Sequence, residues 1–297
     1  MTVTRKKWRI RKVMAVPATW QGTPDRFYHF LLGYYVPLLL WQRRTNVRDI
    51  AVRDSGPHNP WFKLLDPTTS VEILPAGMML ERYLSHRQER IVLHDWDNPT
   101  RFHSKSLEIA RSAAVALLPK PSAEALEGLP QITILERRPS LTHYRSGNSE
   151  TLGGAAEWRS VPNIDAIASS LQTLGDVRVL DTAGLSPEDQ VQELRRTDVL
   201  VGQHGAGLAN MIWMKRGSCV VELLPTRPPT IDKIFHNLAA ARQLAYQAIP
   251  QKSDHSAVDP ALVVAAAEQL LSDPHSQVPK PTGSLPIRLW RQRPRRL

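Results

Sequence analysis

Between residues 132 and 271, five short apolar runs alternate with segments of helical periodicity. That alternation restricts the possible folds more than any other feature of the chain. The runs are 132–135 (ITIL), 177–180 (VRVL), 199–201, 219–223 and 246–249. Helices are expected over 164–174, ended by Gly175, then over 186–196, 206–214, 231–245 and 260–271. Parallel strands need crossovers long enough to hold a helix, so this order predicts a parallel sheet in an α/β fold. Ser186-Pro187-Glu188-Asp189 is the clearest local signal. It has Ser as N-cap, Pro at the first helical position and acids in the first turn, where the helix dipole is positive. The density of elements is that of a Rossmann-type domain.

The first part of the chain follows the same logic less regularly. Strands are expected at 12–17, 47–53, 71–74 and 90–94 (RIVLH), with a long aromatic-rich helix at 25–43. Residues 101–118 place Leu107, Ala110, Ala114 and Leu118 at helical spacing. Pro119-Lys120-Pro121 stops that helix, and the stretch to Pro130 reads as a linker. The expected organisation is a Rossmann-like lobe at 1–120, a second at 121–275 and a basic irregular tail at 276–297.

Composition removes several classes. With 42% hydrophobic and 22% charged residues, the chain is globular rather than disordered. One cysteine, Cys219, excludes an internal disulfide framework and a cysteine-rich zinc site. The longest apolar run, 30–41, contains Pro37 and falls short of the roughly 20 residues that span a bilayer. No secretory signal pattern opens the chain. The net charge of +10 sits at the ends: residues 1–12 carry +6 and residues 288–297 carry +5, which leaves −1 for the body. The ends read either as solvated termini or as arms for an anionic membrane surface or another polyanion. The balanced body has no nucleic-acid-binding signature, so no specific nucleic-acid partner is expected.

The chemistry concentrates in 197–225, TDVLVGQHGAGLANMIWMKRGSCVVELLP. A buried strand runs into Gly202-Gln203-His204-Gly205-Ala206-Gly207, and a helix follows at once. Ligands of open parallel sheets bind at the carboxyl ends of the strands. Gly205 and Gly207 allow close backbone approach, and the N–H groups of the Gly205-Ala206-Gly207 turn suit an anion such as phosphate. His204 adds an imidazole, and Asn210 lies one turn on. Glu222, near the end of the next strand, is placed to accept hydrogen bonds from ribose hydroxyls. The pattern is neither a dinucleotide fingerprint nor a Walker loop.

The string DVLVGQHGAGLAN, followed by GSxVVELxP, resembles the signature of glycosyltransferase family 61. Further pieces of the family pattern occur in order. Residues 26–32 (RFYHFLL) resemble its aromatic-His-aromatic-Leu-Leu helix, 132–137 (ITILER) its arginine-ended strand, Arg145 and Asn148 its Arg…Asn pair, and 186–190 (SPEDQ) the helix start before the signature.

The resemblance implies a GT-B-like fold, two Rossmann-like lobes with mostly parallel sheets facing a cleft. It also implies an inverting transfer from a nucleotide sugar, UDP-linked by expectation, to a hydroxyl of a glycan or glycoprotein. Basic side chains and helix N-termini then stabilise the departing diphosphate, so no metal or other cofactor is required. Arg137 is favoured as the counterpart of the family's diphosphate-binding arginine, with Arg138 close behind and Arg145 a weaker candidate. His29 is the base candidate and His204 a second catalytic candidate. One departure stands out: where the family often carries an acid one turn after this His, the chain has Gly33. A catalytically impaired relative that binds sugar nucleotide or glycan is therefore the alternative reading, and polyanion binding through the ends a third. Asp95-Trp96-Asp97 resembles the metal-binding DxD of the GT-A fold, and reads alternatively as a turn cluster. The expected location is the cytoplasm for a bacterial protein, or the Golgi lumen if an anchor precedes this sequence.

Overall fold

The computed structural model describes residues 13–17, 27–45, 47–74, 89–93, 102–119, 130–138, 159–226 and 233–280. Both basic ends, Asp95, Asp97 and Arg145 lie outside them.

Two parallel sheets form, one from each part of the chain. The first contains β1 (Val13–Pro17), β2 (Asp49–Arg53), β3 (Ser70–Leu74) and β4 (Glu89–Leu93) in the order β3-β2-β1-β4. The second contains β5 (Gln131–Leu135), β6 (Asp176–Leu180), β7 (Val199–Gln203), β8 (Cys219–Pro225) and β9 (Ala245–Gln251) in the order β6-β5-β7-β8-β9. Every pairing is parallel, as the strand–helix alternation predicts.

Strands of the second sheet are apolar on both faces because both faces are covered. On β7, Val199 and Val201 join one core with Ile132, Ile134, Val221 and Leu223. Leu200, between them, points into the other core with Val220. Helices α4 (Ile164–Leu171) and α7 (Pro260–Ser272) cover the first of these cores. Helices α5 (Pro187–Arg196) and α6 (Ile234–Arg242) cover the second, together with a 3-10 helix at Ala206–Trp213. The expected cap of α5 is present: Ser186 Oγ accepts from the N–H of Asp189 at 3.1 Å.

The second core also takes in the first unit. Phe30, Ile50 and Val52 belong to the same cluster as Leu200, Trp213 and Val220. The long aromatic-rich helix expected near its start is wound in three pieces: α1 (Phe27–Phe30), a π turn at Leu31–Tyr35 and α2 (Val36–Thr45). The Val36 N–H bonds the Leu31 carbonyl five residues back, the hydrogen bond that defines a π turn. This turn buries Tyr34 and Tyr35. Tyr34 Oη accepts from the Arg53 N–H at 2.9 Å, and Tyr35 Oη donates to the Leu64 carbonyl at 2.9 Å. Burial raises both phenol pKa values above the ordinary one.

Several contacts among the described residues tie the units together. A 3-10 helix at Gly56–Leu64 carries Trp61, which stacks on Trp213 at 5.7 Å and 17°. Helix α3 (Ser104–Ala116) carries Glu108, whose Oε2 accepts from Arg242 at 2.7 Å. Arg111 and Arg242 donate to the carbonyls of Trp213 and Met214, at 3.0 and 2.9 Å, and so cap the carbonyl end of the second 3-10 helix.

Candidate functional site

The strand order of the second sheet, β6-β5-β7-β8-β9, contains a topological switch point. From β5 the chain crosses to β6 on one side and then returns to β7 on the other. Strands β5 and β7 therefore flank the switch point, and open parallel sheets bind ligands at the carboxyl ends of such strands. Arg137 follows β5, and the His204-Gly205 turn follows β7.

These two segments meet. Arg137 Nη2 donates to the His204 carbonyl at 3.1 Å, and Arg159 Nη1 donates to the same oxygen at 2.7 Å. Two guanidinium groups thus converge on one backbone carbonyl at the switch point. Arg138 instead pairs with Glu136 at 2.9 Å on the exposed surface. The structure so separates the two neighbouring candidates and places Arg137 at the turn.

His204 is buried and held from three sides. Its N–H donates to the Leu223 carbonyl at 2.9 Å. Its Nδ1 lies 2.5 Å from Glu222 Oε1, and its ring meets Phe235 edge-on at 5.1 Å. The other oxygen of Glu222 accepts from the Tyr246 hydroxyl. Glu222 is fully buried. A carboxylate accepts, so this pair places the imidazole proton on Nδ1 and leaves Nε2 for other chemistry. In this structure the two oxygens of Glu222 are held by His204 and Tyr246. Asn210 is likewise turned inward. Its amide donates to Gln190 Oε1 and accepts from Trp213 Nε1, both at 3.1 Å, and so joins α5 to the 3-10 helix. The segment that begins at Ala206 is a 3-10 helix, with Leu208 N–H bonded to the Gly205 carbonyl at 3.0 Å.

His29, half-buried on α1, reaches the same neighbourhood. Its ring meets Tyr28 edge-on at 5.3 Å, Tyr28 meets Phe235 at 6.0 Å, and Phe235 meets His204. Two aromatic rings separate the two candidate histidines. Gly33 is buried within the π turn. Arg145, Asp95 and Asp97 lie outside the described residues, and among the described residues no cluster of three or more metal-binding side chains occurs.

Residues 27–221 match the family model described as Glycosyltransferase 61, about two thirds of the chain. The chain belongs to glycosyltransferase family 61. It is also similar to the "EGF domain-specific O-linked N-acetylglucosamine transferase" of Drosophila melanogaster, with 26% identity over 162 residues. That stretch is 47% of this chain and 31% of the fly protein. The Mus musculus protein of the same description is 29% identical over 99 residues, 32% of this chain and 18% of the mouse protein. The chain thus spans about a third or less of the curated relatives it matches.

Within this family member, four residues escaped the sequence reading: Arg159, Phe235, Tyr246 and the side chain of Gln203. Tyr246 had a usable signal. It is the second residue of β9, which pairs with β8 so that Val220 is opposite Tyr246 and Glu222 opposite Ala248. Arg159 had none, because its segment carries no periodicity.

Proposed function

We propose that this protein transfers a sugar from a nucleoside-diphosphate sugar to a hydroxyl of a glycan or protein acceptor, with inversion at the anomeric carbon. The observation that carries this reading is the convergence of Arg137 and Arg159 on the His204 carbonyl at the sheet's switch point. Guanidinium groups bind phosphate oxygens with charge-assisted, often bidentate hydrogen bonds. A diphosphate docked there meets both arginines and the N–H groups of the Gly205-Ala206-Gly207 turn. The two relatives' descriptions favour N-acetylglucosamine as the sugar and a protein as the acceptor, and a UDP-linked donor is the expectation from the family resemblance.

In this reading, His29 takes the acceptor hydroxyl's proton as its oxygen attacks the anomeric carbon. The bond from that carbon to the diphosphate oxygen breaks, and the negative charge that develops on the diphosphate is stabilised by the arginines. Since the side chains supply the positive charge, the reaction proceeds without a divalent metal. The two α/β units act as the lobes of a GT-B-like enzyme, donor on the second and acceptor on the first.

The test is release of nucleoside diphosphate from a panel of nucleotide sugars in EDTA, with the His204→Ala variant alongside. Turnover of one donor in EDTA, lost in the variant, is the expected result. Turnover only with Mn²⁺ overturns the metal-free step. Gly33 favours a second reading, an impaired relative that holds the donor without transfer. Donor binding without release distinguishes it.

A further inference from the structure

We infer that Gln251, at the end of β9, is a positioning residue for Arg159 and thereby for the donor's diphosphate. The inference rests on the proposed donor site and adds to it the support that shapes it.

Arg159 reaches the His204 carbonyl from a segment outside the sheet, so something must hold that segment in place. Its neighbour Ser160 is tied down by a buried amide pair. Gln251 Nε2 donates to the Ser160 carbonyl at 3.0 Å and to the Ser256 carbonyl at 2.6 Å. Gln203 Nε2 donates to the same Ser160 carbonyl at 3.2 Å, to Gln251 Oε1 at 2.6 Å and to the Asp254 carbonyl at 3.0 Å. The Ser160 N–H in turn donates to the Asp254 carbonyl at 2.8 Å. Gln203, Gln251 and Ser160 close a triangle at the carboxyl ends of β7 and β9.

The triangle has a consequence for geometry. Gln203 immediately precedes His204, so its backbone sets the carbonyl that Arg159 approaches, while its side chain sets the segment that carries Arg159. Gln251 locks that side chain and shares its load at Ser160. The two glutamines are almost wholly buried, at 5% and 1% exposure. An apolar residue at 251 would remove the donations to the Ser160 and Ser256 carbonyls and leave the Ser160 carbonyl held by Gln203 alone. Further along, Asn163 is bonded to both the N–H and the carbonyl of Val258, so the helix start after Arg159 is fixed independently of Gln251. Loss of Gln251 should therefore loosen Arg159 without unfolding α4.

The test is a thermodynamic cycle read by calorimetric titration with UDP, with uridine as the phosphate-free comparison. The proteins are wild type, Gln251→Ala, Arg159→Ala and the double variant. Gln251→Met, of similar length and apolar, repeats the cycle without a cavity. Either Gln251 variant is expected to weaken UDP binding about tenfold, the scale of one hydrogen bond to a charged group, and to leave uridine binding unchanged. In the Arg159→Ala background the same change should add nothing. Additive losses, or equal losses for UDP and uridine, would mean that Gln251 supports the fold generally and would overturn the inference while the donor site stands. A wild-type protein that binds no UDP overturns the donor reading itself. Faster amide exchange at Ser160 in Gln251→Met is expected alongside, and unchanged exchange there also counts against the inference.

Discussion

Arg137 occupies the space that a side chain at Gly205 would need. A β-carbon built on Gly205 falls 1.5 Å from Arg137 Nη2 and 2.8 Å from its Cζ. The backbone at 205 is extended (φ 160, ψ 178), so the requirement for glycine is one of room and not of conformation. Gly205→Ala is expected to push the guanidinium from the His204 carbonyl and weaken UDP binding by about tenfold or more. Gly207 differs: its β-carbon would meet Leu135 at 3.5 Å and Thr182 at 3.7 Å, which are ordinary contacts. Gly207→Ala should leave the melting temperature almost unchanged. Titration and thermal melting of the two variants check the contrast.

The Glu222–His204 pair makes a separate prediction. Glu222→Gln keeps the shape but replaces one accepting oxygen with an NH₂ group, so it cannot accept from both His204 and Tyr246. The imidazole then loses its fixed tautomer. With the donor identified, kcat should fall by about a hundredfold or more while KM for the donor changes little, the pattern of an orienting group. Tyr246→Phe removes one hydrogen bond and leaves the carboxylate, so its effect should be about 1 kcal/mol in stability. Steady-state kinetics and denaturant unfolding separate the two.

Sequence and structure agree most where burial dictates the residue. Strands β5, β7 and β8 are legible because both faces are covered, which leaves apolar runs that Gly and polar turns interrupt. The glycine turn after β7 is legible for the same reason. Arg137, favoured over Arg138 from the sequence, is the one at the turn, since adjacent residues leave a strand end in opposite directions. Three local features carried no signal. Helix α6 was expected to run to 245, but Gln243 turns left-handed (φ 56) and ends it, where a glycine would have announced the stop. Gly56–Leu64 holds two prolines, Pro57 and Pro60, and has no element expected from the sequence, yet folds as a 3-10 helix around Trp61. Arg159 is positioned by amide side chains from β7 and β9, a relation between strands with no expression in local periodicity.

Cys219 offers a probe of opening. The thiol is buried at the start of β8, and burial, then the nearby charge of Asp198, pushes its pKa up to about 12. A thiol so protonated has almost no thiolate at neutral pH. The native protein should therefore resist a thiol reagent at pH 8. Labelling should appear only as the second sheet opens, with the same denaturant midpoint as circular dichroism. Rapid labelling of the native protein would show that β8 is exposed.

Glu108 predicts how the protein behaves in acid. Burial acts to raise its pKa, but the hydrogen bond and charge of Arg242, with the charges of Arg111 and Arg216, outweigh this and hold it below the ordinary 4.5. A carboxylate whose pKa is lowered on folding adds stability that is present above its unfolded value and is lost as pH falls through the folded one. Protonation also leaves Arg242, 1% exposed, as a buried cation without its counter-charge. Glu108→Gln should mimic that state at neutral pH and cost at most about 3 kcal/mol, since Glu108 is itself 29% exposed. The variant's stability should then change less than wild type's as the pH falls through and below the ordinary carboxylate range, so that the two curves converge in acid. Because Glu108 lies on α3 and Arg242 on α6, the lost stability measures how strongly this ion pair holds the first unit to the second. Parallel pH curves for the two proteins would place the acid sensitivity elsewhere.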